Sequence, residues 1–332
     1  MKHHRFILFL FICTLFTSCF EEDTYTDTKE GNFEALWKIL DEHYCFFSYK
    51  DVDWNAVHDK YATRVSENMS NDALFILLKE MLDELQDGHV NLSATHDVAR
   101  YSKWWSDYPD NFDEKIQRNY IGVDYGIASG LKYKLLDDNI GYVHYASFSS
   151  GLGTGNLSEV ILRFSACDGI ILDVRDNGGG LLTNSEKLAA PFFNQKTLVG
   201  YIQHKTGKGH NDFSEPYPKY VDPANIRYQK TVVVLTNRSC YSAANDFVNA
   251  MSYAPNAVII GDRTGGGSGL PFSSELPNGW AVRFSSSPML NAEKQQIEYG
   301  IDPDVKVDMT DEDMAKGIDT IIETARKIIK SK

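Results

Sequence analysis

Thr231-Val-Val-Val-Leu-Thr-Asn-Arg-Ser-Cys-Tyr-Ser-Ala-Ala244 is the stretch on which the fold turns. Residues 231–236 form an unbroken apolar, β-branched run, as expected of a strand covered on both faces. A short polar connection follows, and residues 242–253 then read as a helix. The same order occurs upstream. Residues 169–174 are a second apolar run, Gly178, Gly179 and Gly180 interrupt it, and residues 182–190 have helical character. Residues 257–261 return as another strand. Strand, turn, helix, strand is the grammar of a largely parallel sheet, so the fold class is α/β with βαβ units. Asp137-Asp138-Asn139 joins residues 131–136 and 140–145 as a hairpin. Residues 314–329 close the sequence as an amphipathic helix.

Earlier in the sequence the period changes. Phe33, Leu36, Trp37, Leu40 and Tyr44 recur at helical spacing, as do Leu74, Leu77, Leu78, Met81, Leu82 and Leu85, and residues 54–65 suggest a helix between them. Ser70 or Asn71 can cap the last of these. Gly88 suits a left-handed helix end. Residues 100–120 have no clear period and read as an irregular connection over a cleft. Residues 201–228 read as a binding loop or a decorative insertion. The domain plan is a leader (1–18), a tether (19–31), a helical N-terminal domain (32–95), a connection (96–120) and an α/β domain (121–332).

Lys2, His3, His4 and Arg5 precede an apolar run over residues 6–16 that is too short to span a bilayer. Small residues then lead to Cys19, the pattern of an exported protein that is cleaved and lipidated at that cysteine. The expected location is therefore the cell envelope, lipid-anchored at the outer membrane or cell surface. With 46 acidic against 33 basic residues and a net charge of −13, the protein is a poor partner for nucleic acid. Cys45, Cys167 and Cys240 show no ligand spacing, so they are expected as buried thiols, with a single Cys45–Cys167 bridge as the alternative. Neither a metal nor a cofactor is implied.

Ser242, opening a helix after a buried strand, has two readings. It can cap the helix. It can also be a nucleophile, because the helix N-terminus and the N–H of Ala243 both favour negative charge developing beside it. Asp173-Val-Arg-Asp-Asn-Gly-Gly-Gly180 is the second candidate. Its glycines allow backbone N–H groups close to a reacting carbonyl, or merely make a tight turn. Gly178 and Gly179 are the candidate oxyanion donors here. Arg175 and Asn177 are candidate substrate ligands, Arg175 for a carboxylate or as a brace of the turn.

Asp87-Gly88-His89, the segment from Asp173 to Gly180, Ser242-Ala-Ala244, Gly261-Asp-Arg-Thr-Gly265 and Gly300-Ile-Asp-Pro-Asp304 occur in one order. In this set the protein resembles the tail-specific, or C-terminal processing, serine proteases and the related tricorn core proteases. The resemblance implies a crotonase-like catalytic domain behind a helical N-terminal domain, acting on peptide or protein substrates. Two departures narrow it. The segment between His89 and Gly122 is too short for the PDZ domain many members carry. No lysine occurs from Arg263 to Phe284, where a Ser–Lys dyad would need one. The tricorn-type branch instead implies His89 as the base and Glu298 as its acid, working as a Ser-His-acid triad does. A non-catalytic ligand-binding protein on the same fold, or an esterase or amidase with the same residues, are the alternatives.

Overall fold

The computed structural model describes residues 25–332. The expected leader, Cys19 and the first part of the tether lie outside the described residues. Among the described residues no helix is long and apolar enough to cross a membrane.

Helices Lys29–His43, Trp54–Ala62 and Asn71–Asp83 form where the apolar period demanded them. The first begins inside the expected tether, because Thr28 accepts a hydrogen bond from Gly31 N–H and so caps it. Ser70 caps the third by accepting from Ala73 N–H. The left-handed turn after that helix falls to Gln86 (φ 46°), not to Gly88. Gly88 is needed for a different reason: a Cβ there would stand 2.8 Å from Trp104 Nε1 and 2.9 Å from the Tyr241 hydroxyl.

A mixed sheet of seven strands forms the centre of the α/β region. Its order is Val305–Lys306, Ala257–Gly261, Thr231–Thr236, Gly169–Asp173, Ile140–His144, Leu131–Leu135 and Gly126–Ala128. Neighbours are parallel from Val305–Lys306 through Ile140–His144, and the hairpin strands that follow are antiparallel. One face buries helices Thr154–Arg163, Leu182–Ala189 and Ala243–Met251; the other is covered by helix Thr320–Lys330. The expected single C-terminal helix is two, Asp311–Ala315 and Thr320–Lys330, parted at Gly317 with φ 70°.

A second sheet was not foreseen. It runs Val98–Arg100, Asn91–Ser93, Ala281–Asn291, Thr197–Ile202, Tyr217–Val221, with Gly269–Glu275 also paired to Ala281–Asn291. Its strands are short or broken by serines and proline, so no period-2 signal stands out. Part of the 201–228 segment is thus a strand of this sheet. Leu92, Ala99, Val282 and Phe284 from it pack into the core of the N-terminal helices. The helical segment and the second sheet therefore share one core. The connection at 100–120 contains helix Glu114–Ile121, whose few apolar positions hid its period. Cys45, Cys167 and Cys240 are free and buried.

Candidate active site

Strands Gly169–Asp173 and Thr231–Thr236 are parallel neighbours, so the loops leaving their carboxyl ends lie side by side. One loop carries Gly178 to Gly180 and the other carries Ser242. Ser242 has φ 59° and ψ −120°, a conformation costing a non-glycine residue about 1–3 kcal/mol. Its N–H donates to Gly266 O at 2.8 Å, and its carbonyl accepts from Asp246 N–H at 3.0 Å, which hold the turn. The side chain makes no capping hydrogen bond. Its Oγ lies 3.0 Å from His89 Nε2, although the two residues are 153 positions apart. The helix-cap reading of Ser242 therefore does not describe this side chain.

His89 sits just before the strand Asn91–Ser93, 5% exposed, with its backbone N–H donating to Asp87 Oδ1 at 2.8 Å. Its ring packs on Tyr241, which is stacked in turn on Trp104 at 4.3 Å. Burial lowers its pKa to about 4, and the charges of Arg283 and Lys50 add to that against the opposing pull of Asp87. The ring is neutral at neutral pH. In the tautomer protonated at Nδ1 it accepts the Ser242 hydroxyl proton at Nε2, as a general base must.

Glu298 is not brought to His89. Its Oε1 pairs with Lys50 Nζ at 3.0 Å, and its Oε2 accepts the Ser268 N–H at 2.7 Å. His89 Nδ1 has no hydrogen-bond partner among the described residues. The expected Ser-His-Glu series of contacts thus stops at the imidazole, because a buried ammonium and a backbone N–H hold both carboxylate oxygens. Lys50 also lies 3.6 Å from Asp87, which accepts from the Tyr44 and Ser285 hydroxyls. Burial pushes Glu298 up to about 7 despite Lys50, while Lys50 and the hydrogen bonds it accepts hold Asp87 below the usual carboxylate range against its own burial. Lys50 carried no sequence signal; Asp87 was quoted only as part of a motif.

The Gly-rich turn is also corrected in part. Gly179 donates its N–H to Asn177 Oδ1 at 3.0 Å, so it does not face a substrate oxygen. Gly179 matters for space instead: with φ 96°, a Cβ would stand 2.7 Å from Ser242 Cβ. Gly178 borders the cleft with open space before it. Ala243, the first residue of its helix, has an N–H with no partner inside that helix. Arg175 and Asn177 are not substrate ligands. Both are fully buried, Arg175 forked on Asp173 (2.9 and 2.7 Å) and paired with Asp319, Asn177 donating to Tyr145 O at 2.6 Å. A guanidinium satisfied on all sides cannot reach a substrate.

Two cavities open at Ser242. One of about 250 Å³ is apolar, lined by Leu181, Leu182, Leu270, Pro271 and Met289. The other, of about 380 Å³, includes His89, Gly178, Trp104, Arg100 and Arg283. Among the described residues no group of three or more His, Cys, Asp and Glu side chains is arranged to hold a metal ion.

This is the architecture of a serine hydrolase: a strained serine on a strand-to-helix turn, a neutral imidazole and unspent backbone donors. The sequence model of Peptidase family S41 matches residues 139–307, and that of the Tricorn protease C1 domain matches residues 25–83. The chain belongs to peptidase family S41, a family of serine-type peptidases. It is 28% identical over 204 residues to the carboxy-terminal processing protease CtpA of Bacillus subtilis, covering 60% of this chain and 41% of that one. It is 29% identical over 205 residues to a candidate tricorn-like protease C-terminal subunit of Sulfurisphaera tokodaii, covering 58% and 22%. The chain thus spans less than half the length of these curated relatives. A crystal structure of a candidate peptidase from Parabacteroides merdae is 54% identical, with a TM-score of 0.88 over 92% of this chain and 97% of that one. Mature CPAF complexed with lactacystin shares the fold, with a TM-score of 0.69 at 12% identity over 91% and 97% of the two chains.

Proposed function

We propose that this protein hydrolyses peptide bonds with Ser242 as nucleophile and His89 as general base, on peptides or proteins of the cell envelope. The observation that carries the reading is the 3.0 Å contact between Ser242 Oγ and His89 Nε2. That contact favours catalysis over ligand binding, and cavities on both sides of Ser242 favour an extended peptide over a small ester.

Ser242 Oγ attacks the scissile carbonyl carbon as its proton passes to His89 Nε2. The oxyanion accepts from Ala243 N–H, with Gly178 beside it. Collapse expels the amine, which takes the proton from His89, and leaves an ester on Ser242. Water then attacks that ester with the same imidazole as base. The apolar cavity takes the side chain on the acyl side. Among the described residues, strand Gly269–Glu275 pairs only with Ala281–Asn291, so its outer edge is open to a substrate strand beside that cavity. Export and a lipid on Cys19 rest on the sequence pattern of residues 1–19.

Labelling of fractionated cells with a fluorophosphonate probe tests both parts. Wild type is labelled in the membrane fraction. Ser242→Ala is not labelled, His89→Ala loses peptide hydrolysis by about 10⁴-fold or more, and Cys19→Ser moves the label to the soluble fraction. Equal labelling of wild type and Ser242→Ala ends the catalytic reading; an unmoved label ends the anchor.

A further inference from the structure

His89 has the contact a general base needs but not the partner that usually keeps a base in place. In a Ser-His-acid triad the acid holds the imidazole by its far nitrogen. Here that nitrogen, Nδ1, has no hydrogen-bond partner among the described residues, and Glu298 is held by Lys50 and by the Ser268 N–H. The torsion that turns a histidine ring has only a broad preference of its own. Another contact must therefore fix the plane of the ring and keep Nε2 at 3.0 Å from Ser242 Oγ.

Tyr241 makes that contact. It precedes Ser242 in the chain and is 7% exposed. Its N–H donates to Asn177 O and its carbonyl accepts from Ala244 N–H, both at 3.1 Å, so its backbone is fixed in the nucleophile's turn. Its ring centroid lies 4.9 Å from that of His89, with the two planes tilted by 56°. The hydroxyl reaches the backbone of Gly88, the residue before His89. One side chain thus runs from the neighbour of the nucleophile to the neighbour of the base. Burial pushes its phenol well above the ordinary range, so the group stays neutral and does not compete for the serine proton.

Tyr241 is itself braced. The Trp104 indole stacks on its ring at 4.3 Å and 25°. The Trp104 carbonyl accepts from Arg238 Nε at 2.6 Å, which ties the indole's segment to the connection that leads into Ser242. Three glycines leave the room for both rings. A Cβ on Gly88 would crowd Trp104 Nε1 and the Tyr241 hydroxyl, one on Gly267 would run into the Tyr241 ring, and one on Gly265 would run into the indole. Aromatic pairs of this kind contribute about 0.5–1.5 kcal/mol beyond the area they bury.

We propose that Tyr241, braced by Trp104, is the positioning residue of His89. Ring contact, in the place a carboxylate takes in a triad, sets the plane of the imidazole so that Nε2 faces Ser242 Oγ. This rests on the reading of Ser242 as nucleophile and His89 as base.

The test compares fluorophosphonate labelling rates, which report the serine and its base with little demand on peptide binding. Tyr241→Phe keeps the ring and is expected to label at close to the wild-type rate. Tyr241→Leu is expected to be about 10²-fold slower, the loss that a misplaced catalytic group brings, and Trp104→Leu about tenfold slower. In peptide hydrolysis the Tyr241→Leu loss should fall on kcat with KM unchanged. In a His89→Ala background, Tyr241→Leu should lower the residual rate no further, because it acts through the imidazole. The same factor lost with and without His89 overturns the proposal, and so does a loss confined to KM or a Tyr241→Leu protein that labels as fast as wild type. If Tyr241→Leu does not fold, Trp104→Leu decides, since the indole is only half-buried; an unchanged rate there overturns the proposal. Failure of the underlying reading looks different, because wild type and Ser242→Ala would then label equally.

Discussion

Two buried clusters in this molecule set one cation between two carboxylates. Asp173, Arg175 and Asp319 join the Gly-rich turn to helix Thr320–Lys330; Asp87, Lys50 and Glu298 join the helical segment to the space behind His89. In the first, the planar guanidinium meets both oxygens of Asp173 and still reaches Asp319, which also caps its helix by accepting from Ile321 and Ile322 N–H. In the second, the ammonium is a point charge, 3.0 Å from Glu298 but 3.6 Å from Asp87. In each cluster one carboxylate, Asp173 or Asp87, is held below the usual range while burial raises the other, Asp319 in the first and Glu298, to about 7, in the second. A fork that matches its carboxylate makes a fixed brace. A shared point charge leaves one carboxylate able to take a proton near neutral pH.

Breaking the brace should have the larger effect on stability. Arg175→Met leaves Asp173 and Asp319 facing each other without water and should cost about 3–5 kcal/mol. Arg175→Lys should not restore the loss, because lysine cannot span both oxygens. Chemical denaturation measures both, and a lysine variant as stable as wild type would show that charge alone suffices.

Lys50→Met should cost less, about 1–3 kcal/mol, because Glu298 can respond by binding a proton. It should also do what the Arg175 variants do not, shifting the pH dependence of the site. Probe labelling needs neutral His89, so it should fall as pH drops through about 4. Lys50 disfavours the imidazolium, so its removal should move that acid limb to higher pH. An unmoved limb would show that the cluster does not act on the imidazole.

The smallest effect is expected at Glu298→Gln, which keeps an acceptor for Ser268 N–H. Glu298 has its folded pKa raised above the unfolded value, so it binds a proton preferentially in the folded state between about 4.5 and 7. Its contribution to stability therefore falls as pH rises through that window. The stability of Glu298→Gln relative to wild type should improve from pH 5 to pH 8. Labelling should fall less than in His89→Ala, since Glu298 does not touch the ring; equal losses would assign it a larger part in the chemistry.

The α/β grammar was legible in the sequence because strands buried on both faces leave continuous apolar runs, and the helices between them leave a period. The N-terminal helices were legible for the same reason. The second sheet was not, since Ala281–Asn291 carries three serines and a proline and pairs with three strands from separate parts of the sequence. Helix Glu114–Ile121 was too short for its period to register.

Within the site, the sequence by itself determined the strand, the turn and the helix that present Ser242, and the motif that holds His89. These are local outcomes of β-branched runs, glycines and helix starts. Only the tertiary structure decided which charged groups serve the cleft. Arg175, the obvious candidate for a carboxylate, is consumed by Asp173 two residues away and by Asp319 from near the C-terminus. Arg100 and Arg283, unremarkable in sequence, are brought to Ser242 by the pairing of three strands. Glu298 is claimed by Lys50 from a short helix near the other terminus. Charges act through space over a few ångströms, so their partners follow from packing, while the backbone forms follow from neighbours in sequence.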